Sequence, residues 1–280
     1  LAKSTVSKSV SRLERRLGAQ LLNRTTRRLS LTEAGSAFYQ SCARIVSEAE
    51  TAEAEIGRLS ETPCGMLKVN ASMVFGTRHI APAVAAFLSS HPDIHLDLTM
   101  TDQFVDLVED GYDLAIRIGT MANSSMIARK LAPCRFVLCA APDYVAREGV
   151  PSAPEDLAHH VCLRYAYQAT QDSWRLAGPE GERSIRVTGP FRANNGDALR
   201  IAAVSGFGII FAPTFLVADD LQAGRLEIVL SDHTWDSGVY AIYPETRLLS
   251  AKSRAFVDFL AARFGPEPSW ERELKLAATG

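Results

Sequence analysis

The chain has 280 residues, 47% of them hydrophobic and 22% charged, which leaves room for more than one folded core and excludes a disordered chain. The formal net charge is -2, yet residues 1–30 hold eight basic groups and one acid (+7), while the remainder holds 22 basic and 31 acidic residues (-9). A basic head on an acidic body points to a polyanionic partner for the head alone.

Cys42, Cys64, Cys134, Cys139 and Cys162 are odd in number, irregular in spacing and never in a C-x-x-C pair, so reduced thiols in a cytosolic protein are expected. The uncharged run Ile201–Ala218 is long enough to raise a membrane span, but Ser205-Gly206, Gly208 and Pro213 divide it. A short helix, a tight turn and a buried strand account for it better. Residues 1–15 lack the apolar centre of a signal peptide, and the protein is read as soluble and cytoplasmic.

In chain order, Ser4 is expected to cap a helix running to Leu17, with Gly18 as its stop. Val6, Val10, Leu13 and Leu17 form its apolar face; Thr5, Ser7, Lys8, Ser11, Arg12, Arg15 and Arg16 take the rest. Small hydroxyls near the helix start permit close approach to base edges, and the cations reach phosphates. For an isolated helix of this kind, a solvated surface helix is the preferred reading. The next segment decides, because Arg24-Thr25-Thr26-Arg27-Arg28 lies between Leu21-Leu22 and Leu29/Leu31 as a basic wing on a small core. Helix plus basic wing is a winged helix-turn-helix pattern.

Thr32 is the expected N-cap of a second helix. Phe38, Cys42, Ile45, Ala49, Ala52, Ile56 and Leu59 recur at intervals of four and three, a coiled-coil seam. Such a seam packs on its own chain or on a two-fold partner, and its length and small alanines favour a dimer. Pro63 and Gly65 mark the end of the element.

Strands and helices then alternate, as in α/β sheets. Strands are expected at 67–71, 94–100, 114–118, 127–132, 136–140, 161–165, 184–193, 208–212, 226–230 and 239–243. Helices are expected over 80–88, Phe104–Glu109, from Pro142, over 197–205 and over Ser250–Phe264. Ser72 and Met73, Thr101 and Asp102, Gly119 and Thr120, and Asn194-Asn195-Gly196-Asp197 each follow a strand. Ligands gather at such carboxyl edges, so these loops outline a cleft, although each alone reads as an ordinary cap or turn.

No nucleophile, metal or dinucleotide motif stands out. His159-His160 reads as a surface turn, His79 either as a ligand contact or as a surface helix position, and Trp174 and Trp235 as core or domain-surface aromatics. No enzyme activity, metal or cofactor is expected.

The run Ser4-Thr5-Val6-Ser7-Lys8-Ser9-Val10-Ser11-Arg12-Leu13-Glu14, the wing Leu21–Arg28 and Leu31-Thr32-Glu33-Ala34-Gly35 resemble the LysR-type transcriptional regulators. The body adds His91-Pro92-Asp93-Ile94, the stretch Asp110–Gly119, Gly206-Phe207-Gly208-Ile209, Gly224-Arg225-Leu226 and Lys252–Phe256. The resemblance implies a multi-domain α+β protein. Its parts are the C-terminal portion of a winged helix-turn-helix (1–31), a linker and dimerisation helix (32–62), and an effector domain of two α/β lobes like periplasmic binding proteins (63–265, with lobes 63–135 plus 240–265 and 136–239). A tail, 266–280, follows.

The same resemblance assigns DNA reading to Ser4, Thr5, Ser7, Lys8 and Arg12, and phosphate contacts to Arg24, Arg27 and Arg28. It places Ser72, Met73, Thr101, Asp102, Gly119, Asn194 and Asn195 around a small-molecule effector. Met73 stands where close relatives often have Pro. It further implies a homodimer that pairs into a homotetramer on double-stranded DNA, and a first helix and most of a second ahead of Leu1. A solute-binding protein would share the two-lobed body without the basic head, and an enzyme would need a catalytic constellation in the cleft.

Overall fold

The computed structural model describes residues 3–24, 29–57, 62–119, 126–167, 172–245 and 249–272. Two compact units divide the chain, Leu1–Ser60 with Val108–Gly111, and Glu61–Leu107 with Tyr112–Gly280.

In the first unit, α1 (Lys3–Leu17) is followed by the antiparallel strands β1 (Leu22–Arg24) and β2 (Leu29–Leu31), then by α2 (Glu33–Gly57). The first helix already includes Lys3, so Ser4 lies inside it rather than capping it. Gly18, at φ +65°, ends it as the sequence indicates. Thr32 does cap α2: its hydroxyl oxygen accepts from the Gly35 N–H at 2.9 Å.

In the second unit, nine strands form one sheet ordered β10-β7-β11-β6-β13-β5-β3-β4, with β12 paired to β6. The strands β3 (Gly65–Ala71), β4 (Ile94–Met100) and β5 (Leu114–Gly119) are parallel. So are β7 (Cys162–Tyr165), β10 (Arg192–Ala193) and β11 (Ile209–Pro213) at the other end. Between these groups run the long antiparallel strands β6 (Met126–Ala140) and β13 (Trp235–Pro244), which carry the chain from one lobe to the other. The two-residue β12 (Glu227–Ile228) and the hairpin β8 (Ser173–Gly178) and β9 (Gly181–Arg186) complete the strands.

The first lobe packs Leu67, Val69 and Ala71 of β3 against Phe87 of α4 (Ala81–Ser90) and Phe256, Val257 and Leu260 of α8 (Ala251–Phe264). The second packs β11 and β7 against α5 (Pro142–Glu148), α6 (Gly196–Val204) and α7 (Thr214–Gln222). A three-residue helix, α3 (Met73–Phe75), leads through a π turn at Gly76–Ile80 into α4. Pro82 has no N–H to return to the previous turn, and the Ala81 N–H reaches back five residues to Gly76.

Several expected boundaries move. Phe104–Glu109 is not a helix but irregular chain leading into a turn from Leu107, because the Thr101 hydroxyl takes the Gln103 N–H and the Tyr112 N–H closes on Leu107. The strands expected at 127–132 and 136–140 are a single strand through Pro133. There β13 pairs one edge, and β11 reaches only as far as Phe136 on the other, so the missing N–H breaks little. The strand expected at 184–193 is broken at Gly189-Pro190, and its first part is the second arm of a hairpin. Helix α7 occupies most of what the strand-and-turn reading of 201–218 left open, and 226–230 contributes only the short β12.

All five cysteines are free. Burial pushes the Cys134 and Cys139 thiols up and Cys162 up to about 12, whereas Cys64 is exposed and Cys42 half-buried. Brief iodoacetamide treatment of the native protein should therefore alkylate Cys42 and Cys64 alone, read by peptide mass mapping. Equal labelling of Cys139 would show that the sheet opens readily.

Candidate functional site

Two sites emerge, one in each unit. On α1, Lys8, Arg12, Arg15 and Arg16 are exposed, and none forms an ion pair among the described residues. Glu14, the one acid of this helix, points inward and accepts the N–H groups of Leu21 (2.9 Å) and Leu22 (3.1 Å). The helix thereby fixes the entry of the wing while its cations stay available. From the opposite side Thr32 donates to the Gln20 carbonyl at 2.6 Å, and its N–H binds the Leu21 carbonyl. Ser4, Thr5 and Ser7 belong to the first turns of α1 and Arg24 ends β1; Arg27 and Arg28 lie outside the described residues. Along α2, Phe38 and Cys42 are half-buried and Ile45 is 65% exposed; Leu59 lies outside the described residues.

The second site is a cavity of about 610 Å³ in the two-lobed unit, at the carboxyl edges of both parallel strand groups. Ser72 after β3, Asp102 after β4 and Gly119 at the end of β5 line it from the first lobe; Tyr165, Tyr167, Gly196 and Pro213 line it from the second. Met73, Thr101, Asn194 and Asn195 flank it without lining it, and Thr120 lies outside the described residues. Asn195 instead caps α6, accepting the Ala198 N–H, and its amide meets the Met73 sulfur at 3.1 Å. Sequence reading missed Tyr165, Tyr167, Arg175, Trp235 and Ser237, all on the cavity wall. The alternation of Trp235 and Ser237 along a strand is the available signal, but the strand is expected from sequence only from 239.

Asp102 accepts the Met73 N–H at 3.0 Å. Burial pushes the Tyr165 hydroxyl up, helped by the Asp102 carboxylate to which it is hydrogen-bonded. The Arg117 guanidinium, drawn down by burial and held up chiefly by Asp102, donates to the carbonyls of Thr101 and Gln103.

Further contacts that join the lobes include Gln103 to the Tyr167 hydroxyl at 3.2 Å, Arg78 to Asp197 at 2.6 Å, and His79 Nε2 with the Phe215 carbonyl at 3.4 Å. His79 is neither a cavity residue nor a bare surface position. It stacks on Phe75 and meets Phe215 and Trp270 edge-on, and burial holds its imidazole below the usual value. His159-His160 ends a short 3-10 helix, and no cluster of metal-ligating side chains occurs among the described residues. Trp174 is fully buried.

A cationic helix and wing, together with a two-lobed α/β domain clefted at its strand ends, define a ligand-responsive DNA-binding protein as the class. The model of the bacterial regulatory helix-turn-helix protein, lysR family, matches residues 1–36, and that of the LysR substrate binding domain matches residues 60–265. The chain belongs to the LysR family. It is 36% identical over 267 residues to the transcriptional regulator CrgA of Neisseria meningitidis serogroup B, covering 95% of this chain and 89% of that one. It is 35% identical over 260 residues to the regulator DmlR of Escherichia coli K12 (92% and 85% covered). Among solved structures, the full-length virulence activator AphB of Vibrio cholerae superposes with a TM-score of 0.66 at 30% identity (94% and 90% covered). CrgA of Neisseria meningitidis superposes at 0.64 and 35% (94% and 90% covered).

Proposed function

We propose how this transcriptional regulator divides its labour. Helix α1 reads the major groove through Ser4, Thr5, Ser7, Lys8 and Arg12, and Arg24, Arg27 and Arg28 of the wing hold phosphates. The observation that carries this is the set Lys8, Arg12, Arg15 and Arg16 on α1, which form no ion pair among the described residues, while the helix's one acid is turned inward to the wing.

A small-molecule effector binds between the lobes, near Ser72, Met73, Thr101, Asp102, Gly119, Asn194 and Asn195. Its affinity must differ between two lobe arrangements for anything to shift, and that difference is what the DNA-binding heads of the assembly register. Helices α2 pair through Phe38, Cys42, Ile45, Ala49, Ala52, Ile56 and Leu59, giving a dimer, with a tetramer on DNA; the exposed Ile45 supports a partner there. The regulator works in the cytoplasm and is not an enzyme. Among the described residues no helix is long and apolar enough to cross a membrane.

The test is binding of the full chain to the DNA upstream of its own gene across a salt series. Tight, sequence-selective binding with a steep slope is expected. Lys8→Gln and Arg12→Gln should each weaken binding, with a slope shallower by about 0.9 for each phosphate no longer neutralised. Salt-insensitive or absent binding in folded, dimeric protein would demote the head to a solvated surface.

A further inference from the structure

We propose that the effector is a flat, apolar molecule bearing one acidic group, and that Arg175 reads the acid. This rests on the assignment of the cavity as the effector site. The walls are largely apolar and include the rings of Phe136, Phe211, Phe215 and Trp235, and faces of this kind favour a planar apolar guest.

Charge then selects the guest's polar end. Asp102 and Arg175 are the acidic and the basic side chain among the described lining residues. Asp102 is already satisfied: it takes the Met73 N–H and the Tyr165 hydroxyl, and it faces the Arg117 guanidinium. A ligand anion placed at the start of α3 would meet that carboxylate, and a ligand ammonium would find it engaged.

Arg175 differs. It has no carboxylate partner among the described residues and lies over the Trp235 ring, 6.0 Å from its centroid. Two residues along the same face of β13, Ser237 is 9% exposed, and its buried hydroxyl has no hydrogen-bond partner. A guanidinium, a ring face and a free hydroxyl at one end of an apolar cavity match a single carboxylate on an aromatic body. A dianion would lack a second free cation among the described lining residues.

The experiment is calorimetric titration of the full chain with three probes of one shape: 2-naphthoate, 2-naphthylmethanol and 2-naphthylmethylamine. The carboxylate should bind about tenfold or more tighter than the alcohol, and the amine weakest. Arg175→Gln should bring the carboxylate to the level of the alcohol, leave alcohol binding unchanged and leave the ligand-free melting temperature unchanged. Ser237→Ala should remove a smaller part of the carboxylate's advantage. The proposal is overturned if the amine binds as tightly as the carboxylate, if Arg175→Gln leaves naphthoate affinity intact, or if none of the probes binds. The DNA salt series on the same preparation separates the outcomes. Retained DNA binding with failed probes rejects only the ligand class, whereas bound naphthoate without DNA binding rejects the regulator reading.

Discussion

Gly35→Ala should weaken DNA binding strongly while leaving the effector domain folded. A Cβ at Gly35 would sit 2.0 Å from the Leu21 carbonyl oxygen and 2.8 Å from its carbon, both backbone atoms that cannot rotate away. The first turn of α2 would have to withdraw from the segment Gln20–Leu22, breaking the Thr32 bonds to Gln20 and Leu21 on one side. Glu14 holds the same segment on the other side, so the displacement reaches α1 and the wing together. Overpacking against backbone of this kind costs about 3 kcal/mol, a large fraction of what a small domain has. Affinity for operator DNA, followed by fluorescence anisotropy, should fall at least about tenfold. Ser36→Ala, one residue on and exposed, should bind as the parent does. Parent-like affinity in Gly35→Ala would mean that α2 slides away from Leu21 without consequence for the head.

The head was legible in the sequence because its determinants are local. The cap at Thr32 and the stop at Gly18 each act within one turn and appear at their expected places, whereas Leu17, the last residue of the expected apolar face of α1, is exposed. What the sequence did not disclose is why Glu14 and Gly35 sit where they do. Both act across the fold, one as an acceptor for amides seven and eight residues away at the entry to β1, the other as a gap that admits a carbonyl.

The cleft was legible by half for the same reason. Its first-lobe rim follows parallel strands that read cleanly by alternation, so Ser72, Asp102 and Gly119 were found from their place at strand ends. The second-lobe wall depends on long-range pairing. Trp235 pairs with Phe136, and Thr234 bridges Ala177 of β8, contacts no periodicity reports. Arg175 therefore looked like a residue of an unassigned loop, and the long strands β6 and β13 looked shorter than they are.

Trp270→Ala should strongly destabilise the effector domain, although Trp270 lies beyond the span matched by the LysR substrate-binding model. A helical turn at 269–272 follows α8, and Trp270, 3% exposed, enters the ring cluster of Phe75, His79, Phe215 and Phe264. Its indole N–H donates to the Pro133 carbonyl at 3.4 Å. The neighbouring Glu271 accepts the Arg135 N–H at 3.1 Å and the buried Thr214 hydroxyl at 2.7 Å. One turn of chain thus fastens the first-lobe helix, the start of α7 in the second lobe and strand β6 where it passes between them.

Emptying the indole site should cost about 3–5 kcal/mol. Glu271→Ala, which strands one amide and one hydroxyl, should cost about 1–3 kcal/mol. Trp270→Phe, keeping a ring but losing the N–H donor, should fall between the parent and Trp270→Ala. The three tryptophans of the chain, Trp174, Trp235 and Trp270, all belong to this unit, so urea unfolding followed by their fluorescence reports on it without the head. The Trp270→Ala protein keeps two of those reporters. A loss below about 1 kcal/mol would be the value of a surface aromatic and would mean that the turn rests on the lobes without holding them.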